Sequence, residues 1–159
     1  VIVISDSTYQ GKRKDKSGKI ACEFLQKQPV DVKFYDILPD DPKMITSRLI
    51  ELVDKEKIEL IITTGGTGLG PRDFTPEATR PIIEKQIPGI EETIRRHGKD
   101  RTPFAMLSRE VVGMRGKSLI INLPGSSKGV QESLDALFPG LLHAYPMMWG
   151  GGHDHVKPH

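Results

Sequence analysis

Two periodicities alternate along this chain, and that alternation limits the folds open to it more than any other feature. Short apolar runs at Val1 to Ser5, Val30 to Leu38, Ile58 to Thr64, Val111 to Met114 and Leu119 to Leu123 have the length and residue types of buried strands. Between the first three lie stretches whose apolar residues recur at helical spacing: Ile20, Phe24 and Leu25, then Ile45, Leu49, Leu52 and Val53. Asp41 followed by Pro42 marks the start of the second, since aspartate caps free amides and proline at the first helical position loses no hydrogen bond. Parallel strands need such crossovers, so the β-α-β-α-β order predicts an α/β domain with a doubly wound, mostly parallel sheet and helices on both faces. Val111 to Met114 and Ser118 to Asn122 flank Arg115-Gly116-Lys117, which predicts a tight hairpin and one antiparallel strand. A further helical piece, from about Gly89 to His97, is expected to stop at Gly98.

The punctuation between these elements carries the chemistry. The chain holds 16 Gly and 12 Pro, and much of this excess falls at two places where a strand hands over to a helix. After Thr64 comes Gly65-Gly66-Thr67-Gly68-Leu69-Gly70, and Thr75-Pro76-Glu77 then restarts a helix with Thr75 read as its cap. After Asn122 comes Leu123-Pro124-Gly125-Ser126-Ser127-Lys128, and Val130, Leu134 and Leu137 continue at helical spacing. A glycine turn at a helix N-terminus lets backbone approach a ligand and aims unpaired N–H groups at an anion. Pro71 and Arg72 stand where a P-loop needs Lys and Ser or Thr, and no third glycine completes a dinucleotide fingerprint.

In an open α/β sheet, ligands lie beyond the carboxyl ends of the strands. Ser5-Asp6-Ser7, Asp40-Asp41, Thr63 to Gly68 and Pro124 to Lys128 all fall at such ends. Two anion cradles on one rim suggest two phosphorylated ligands. Asp40 and Asp73 would share that rim, and carboxylates beside phosphates repel them unless a cation intervenes. Mg²⁺, which takes one or two carboxylates plus phosphate oxygens, is the expected ion. The competing roles are N-capping for Asp40 or Asp41, and an ion pair with Arg72 or a helix-start charge for Asp73.

Other functions are excluded by charge and hydropathy. Lys and Arg total 23 against 21 Asp and Glu, a net +2, which argues against a nucleic-acid surface. No apolar run approaches the roughly 18 residues of a membrane span. A lone Cys22 cannot form an internal disulfide, and its apolar helical setting suggests a small buried residue in a reducing cytoplasm. His153, His155 and His159 follow three glycines, so residues 151–159 read as a flexible His-containing tail beyond a single domain of residues 1–150. His97 is expected at a helix end, and His143 in the last apolar helix.

Taken in order, Thr63-Thr64-Gly65-Gly66-Thr67-Gly68, Pro71-Arg72-Asp73-x-Thr75-Pro76-Glu77-Ala78-Thr79, Leu107-Ser108-Arg109, Gly116-Lys117 and Ile121-Asn122-Leu123-Pro124-Gly125-Ser126-x-Lys128-Gly129 resemble the molybdopterin adenylyltransferase family, which includes MogA and the G domains of gephyrin. Ser5-Asp6-Ser7 and Asp15-Lys16-Ser17-Gly18 are similar to it too. The resemblance covers nearly the whole chain and implies a molybdopterin-binding fold, commonly a homotrimer, that uses Mg²⁺ and ATP to adenylylate molybdopterin before a downstream enzyme inserts molybdate. It further implies Asp40 and Asp73 as catalytic, metal-binding acids. Gly65, Gly66, Thr67, Gly68, Pro124, Gly125 and Ser126 would surround the nucleotide, and Ser5, Asp6, Ser108, Ser127 and Lys128 would contact molybdopterin. The alternative within the same resemblance is a non-catalytic molybdopterin-binding or assembly module, MoaB-like or scaffold-like; retention of Asp40 and Asp73 favours the enzyme.

Overall fold

The computed structural model describes residues 1–138 and 140–150. Its strands are β1 (Ile2–Ile4), β2 (Asp36–Leu38), β3 (Leu60–Thr64), β4 (Lys85–Gln86), β5 (Val112–Arg115) and β6 (Ser118–Leu123). Its helices are α1 (Asp6–Tyr9), α2 (Ser17–Leu25), α3 (Pro42–Asp54), α4 (Thr75–Thr79), α5 (Pro88–Lys99), α6 (Ser127–Leu137) and α7 (Ala144–Met148). The strands form one sheet in the order β2-β1-β3-β6-β5-β4. The first four of that order are parallel; β5 runs antiparallel to β6, and β4 antiparallel to β5. This is the mostly parallel sheet with an antiparallel hairpin that the alternating pattern predicts.

Leu60 to Thr64 register on Leu119 to Leu123, and both strands are almost wholly buried, as parallel strands covered on both faces must be. Successive side chains then leave on opposite faces. Ile61 and Ile120 join Ile45, Leu49 and Leu52 of α3 on one face. Ile62, Leu119 and Ile121 join Ala21 and Leu25 of α2, Ile94 of α5, and Val130 and Leu134 of α6 on the other. The chain thus has two apolar cores, one on each side of the sheet. Among the described residues no helix is long and apolar enough to cross a membrane.

Several local expectations change. The run from Val30 to Leu38 is a strand only at Asp36–Leu38, because its partner β1 begins opposite Asp36; Val30, Val32 and Phe34 are apolar because they pack against the two cores. Helix α5 passes through Gly98 to Lys99, and the Gly98 carbonyl accepts the amides of Arg101 and Thr102 at 3.1 and 2.9 Å as the chain departs. His97 lies in the last turn of α5, as expected, whereas His143 closes a 3-10 turn (Gly140–His143) rather than sitting in α7. Thr75 does not cap α4; Phe74 holds that position, and the Thr75 hydroxyl donates instead to the Gly65 carbonyl at 2.8 Å. The Asp41 cap is present, its carboxylate accepting from the Met44 amide at 2.9 Å. The expected tail at 151–159 lies outside the described residues.

β1 leads through α2 to β2 on one side of it, and β2 leads through α3 back past β1 to β3 on the other. The winding therefore reverses between β1 and β3. At such a switch point the loops beyond the two strands diverge and leave a crevice.

Candidate active site

The two glycine loops open side by side at this crevice. The Gly65 amide donates to the Leu123 carbonyl at 3.1 Å, and the Thr64 hydroxyl donates to the Pro124 carbonyl at 2.7 Å, so the exit of β3 is bonded to the exit of β6. Gly65 has φ +102°, and a Cβ there would lie 2.2 Å from the Ile4 carbonyl oxygen. Gly66 has φ +65°, with a Cβ position 2.3 Å from the Thr75 hydroxyl. Both positions combine a left-handed backbone with no room for a side chain. Among the described residues the amides of Gly66, Thr67 and Gly68, and those of Gly125, Ser126 and Ser127, donate to no backbone acceptor. They are the free donors that an anion cradle requires.

Arg109 holds the first loop from outside. Its Nε donates to the Gly68 carbonyl at 2.8 Å, its Nη2 to the Asp73 carbonyl at 2.9 Å, and its Nη1 to Glu77; its own amide donates to the Thr67 carbonyl at 2.9 Å. Ser126 caps α6, its hydroxyl accepting from the Gly129 amide at 3.0 Å.

The carboxylates follow from the same strand ends. Asp6 and Asp40 form a reciprocal pair: the Asp6 amide donates to Asp40 Oδ2 at 2.9 Å, and the Asp40 amide donates to Asp6 Oδ1 at 3.0 Å. Arg72 donates to both oxygens of Asp6, at 2.9 and 3.0 Å. Its partner is thus Asp6, not the adjacent Asp73. The hydrogen bond from Arg72 holds the Asp6 carboxyl below the ordinary carboxylate range. Burial pushes the Asp40 carboxyl up, with smaller pushes from Asp6 and Asp73 and an opposing hydrogen bond from the Asp6 amide. Asp73 Oδ2 accepts from the Gly70 amide at 2.7 Å. Asp40 and Asp73 each keep one oxygen with no protein donor among the described residues.

These groups line a cleft of about 410 Å³, bordered by Ser5, Thr8, Asp40, Gly65, Asp73 and Ser126. Gly66, Gly125 and Ser127 complete the candidate residues on its wall. A second recess of about 210 Å³ opens behind the 124 to 129 turn, and there Ser108, Pro124 and Ser126 meet Arg95, Glu110 and Glu132. Glu110 is 2% exposed and Glu132 8%, so two buried carboxylates face a mostly apolar space. Arg95 Nη1 donates to Glu110 Oε2 at 3.2 Å. Glu132 Oε1 lies 3.1 Å from Arg101 Nη1, yet at an angle that leaves it without a hydrogen bond.

The remaining candidates stand apart from both spaces. Asp6 is committed to Arg72 and to the Asp40 amide. Thr67 turns inward, 3.1 Å from the Ser108 hydroxyl, and Lys128 extends into solvent, 3.9 Å from Glu132. Sequence reasoning assigned no role to Arg109, Glu110, Glu132, or the basic run from Lys12 to Lys16. Arg109 and Glu110 follow Ser108 directly, so a charged pair next to a candidate loop was the available signal.

Residues 1–143 match the family described as "probable molybdopterin binding domain". The chain belongs to this family. A molybdopterin adenylyltransferase of Helicobacter pylori is 39% identical over 153 residues, covering 94% of this chain and 86% of that protein. A molybdenum cofactor biosynthesis bifunctional protein of Chlorobaculum tepidum is 40% identical over 153 residues; the alignment covers 96% of this chain but 49% of the relative, about half its length. The crystal structure of the molybdopterin biosynthesis enzyme MoaB from Thermus thermophilus superposes with a TM-score of 0.88 at 46% identity, covering 94% of each chain. The molybdopterin-binding domain fold and the six-stranded sheet described above are therefore the same architecture.

Proposed function

We propose that this chain is a molybdopterin adenylyltransferase. The terminal phosphate of molybdopterin attacks the α-phosphorus of ATP; one phosphorus–oxygen bond forms, the bond to the β-phosphate bridging oxygen breaks, and pyrophosphate leaves. The observation that carries this reading is the joining of two anion cradles at one switch point, with Asp40 and Asp73 on the wall of the same cleft. The Helicobacter relative bears the name of this activity.

Positioning and charge neutralisation do most of the work in such a transfer. The free amides of Gly66, Gly125, Ser126 and Ser127, all on the cleft wall, hold phosphate oxygens. Ser5 and Ser127 add hydroxyl donors on the cleft wall. The recess behind the second loop suits a flat ring: its walls are largely apolar, while Glu110 and Glu132 present acceptors to the N–H edge of a pterin. Ser108, on the wall of the second recess, contacts the molybdopterin phosphate, and Lys128 screens its approach.

Asp40 and Asp73 fit Mg²⁺, since each keeps a free carboxylate oxygen on the cleft wall and Mg²⁺ takes few protein ligands beside phosphates and water. When bound, the ion would neutralise charge on the leaving pyrophosphate. We place the protein in the cytoplasm as a homotrimer whose product passes to a molybdate-inserting enzyme. Incubation with molybdopterin, ATP and Mg²⁺ should yield adenylylated molybdopterin by mass spectrometry. Pterin binding without ATP consumption would establish the non-catalytic module instead.

A further inference from the structure

We propose that the basic segment Lys12 to Lys16 is a polyphosphate-binding arm that grips the pyrophosphate end of a nucleoside triphosphate, with Arg13 and Lys14 as its contacts. The inference rests on the adenylyl-transfer reading for the identity of the ligand, but its geometry is independent of that reading.

The arm has a fixed backbone. Gly11 turns with φ +71°, and the Ser7 carbonyl accepts both the Lys12 amide at 2.9 Å and the Arg13 amide at 3.2 Å. Asp15 anchors the far end. Its carboxylate accepts from the Ser17 hydroxyl, the Gly18 and Lys19 amides, and the Tyr35 hydroxyl at 3.2, 3.1, 3.0 and 2.6 Å. With four donors Asp15 is saturated, and it is 9% exposed. It holds the chain in place and is not available to pair with its basic neighbours.

The cations of the arm are correspondingly unspent. Arg48, Arg72, Arg80, Arg95, Arg101, Arg109 and Arg115 each pair with a carboxylate. Among the described residues, Arg13 does not, and neither do Lys12, Lys14 and Lys16. All four are exposed, while Arg13, Lys14 and Lys16 border the cleft that also holds Gly65, Gly66 and Asp40. Three unpaired cations on the wall of a mostly polar cleft, in a chain with net charge +2, are a concentrated field for a polyanion.

The division of charge within the cleft indicates which polyanion. Asp40 and Asp73 repel phosphate until a divalent cation intervenes, so that side suits the reacting phosphorus. The arm needs no metal and suits the distal phosphates, where negative charge accumulates as the phosphoanhydride bond breaks. AMP, with one phosphate, would not reach it. The arm therefore makes the site selective for the triphosphate over the monophosphate.

Calorimetry with inorganic pyrophosphate and Mg²⁺ tests this, using the intact chain. Neither Arg13 nor Lys14 has a partner to lose, so an Arg13→Ala/Lys14→Ala variant should keep its Tm and its affinity for AMP and molybdopterin. It should bind pyrophosphate at least tenfold more weakly and show a raised KM for ATP. Exchange of the two cations, Arg13→Lys/Lys14→Arg, should restore most of the affinity. Lys27→Ala/Lys33→Ala removes the same charge away from the rim and should leave pyrophosphate binding unchanged. Equal pyrophosphate affinity in the wild type and the Arg13→Ala/Lys14→Ala variant would overturn the arm, as would an equal loss in the Lys27→Ala/Lys33→Ala control. If pyrophosphate binding depends on Arg13 and Lys14 while no ATP is consumed with molybdopterin, the arm stands and the adenylyl-transfer reading fails. Turnover with unaltered ATP dependence in the variant overturns the arm and leaves adenylyl transfer in place.

Discussion

Asp40 and Asp73 show how a residue's role is decided by what surrounds it. Both use one carboxylate oxygen to fix a neighbouring amide and leave the other toward the cleft. Asp73→Asn keeps an oxygen for the Gly70 amide but loses the charge, so kcat for adenylyl transfer should fall by about 100-fold or more, roughly 2.7 kcal/mol in the barrier, with molybdopterin affinity unchanged. Undiminished turnover in that variant rejects a metal role for Asp73. Cys22 gives a pH-dependent test. Burial pushes its thiol up, which lowers the thiolate fraction at any given pH relative to a free cysteine near 8.5. Iodoacetamide at pH 8 should therefore label native protein more slowly than urea-unfolded protein, and the gap should close as pH rises past the native thiol's titration. Equal rates at pH 8 would contradict that burial effect. At this scale the placement of Gly65, Gly66, Gly125, Asp40 and Asp73 around one cleft was readable, because all five follow strand ends that a mostly parallel sheet brings to one rim. The role of Arg109 was not, since its place between Ser108 and Glu110 marks it as near a candidate loop but gives no sign that it will span the Gly68 carbonyl, the Asp73 carbonyl and Glu77.

Among the elements, β3 with its glycine exit is the one that cannot be altered quietly. Gly65→Ala would set a methyl 2.2 Å from the Ile4 carbonyl in a backbone region that alanine avoids. We expect a loss of about 2 kcal/mol or more and a fall in Tm of roughly 5 °C or more, read by calorimetry or circular dichroism. A Tm within a degree of wild type would mean that β1 and β3 can part at little cost. Legibility varied with the physics of each element. β3 and β6 were plain as unbroken apolar runs, being buried on both faces, and α3 and α6 because one-sided burial imposes a helical period on their side chains. β4, Lys85–Gln86, is exposed and has no pattern of its own; only its pairing with Met114 and Gly113 makes it a strand. α1 is a single turn capped by Ser5, too short for a periodicity. Val30 to Tyr35 misled because apolar residues that cover a core resemble a strand until a partner is sought.

For the molecule as a whole, the sheet order matters more than any one contact, since it brings the ends of β1, β2, β3 and β6 onto one rim. That much was legible from the chain's alternation and the placement of its candidate residues. The split of the rim into two recesses was not, because it depends on which way the 124 to 129 turn faces. Phe104 and Met106 are 72% and 68% exposed, apolar surface that a homotrimer could cover. Light scattering should give three times the chain mass, and a monomer at working concentration would refute that assembly. The bonds from Gly65 to Leu123 and from Thr64 to Pro124 have a consequence for anyone who wishes to redesign this protein. The two loops are not separable modules. A loop transplanted from a relative to change one substrate would arrive without the partner that shaped it, so the two have to be exchanged together as a single cassette.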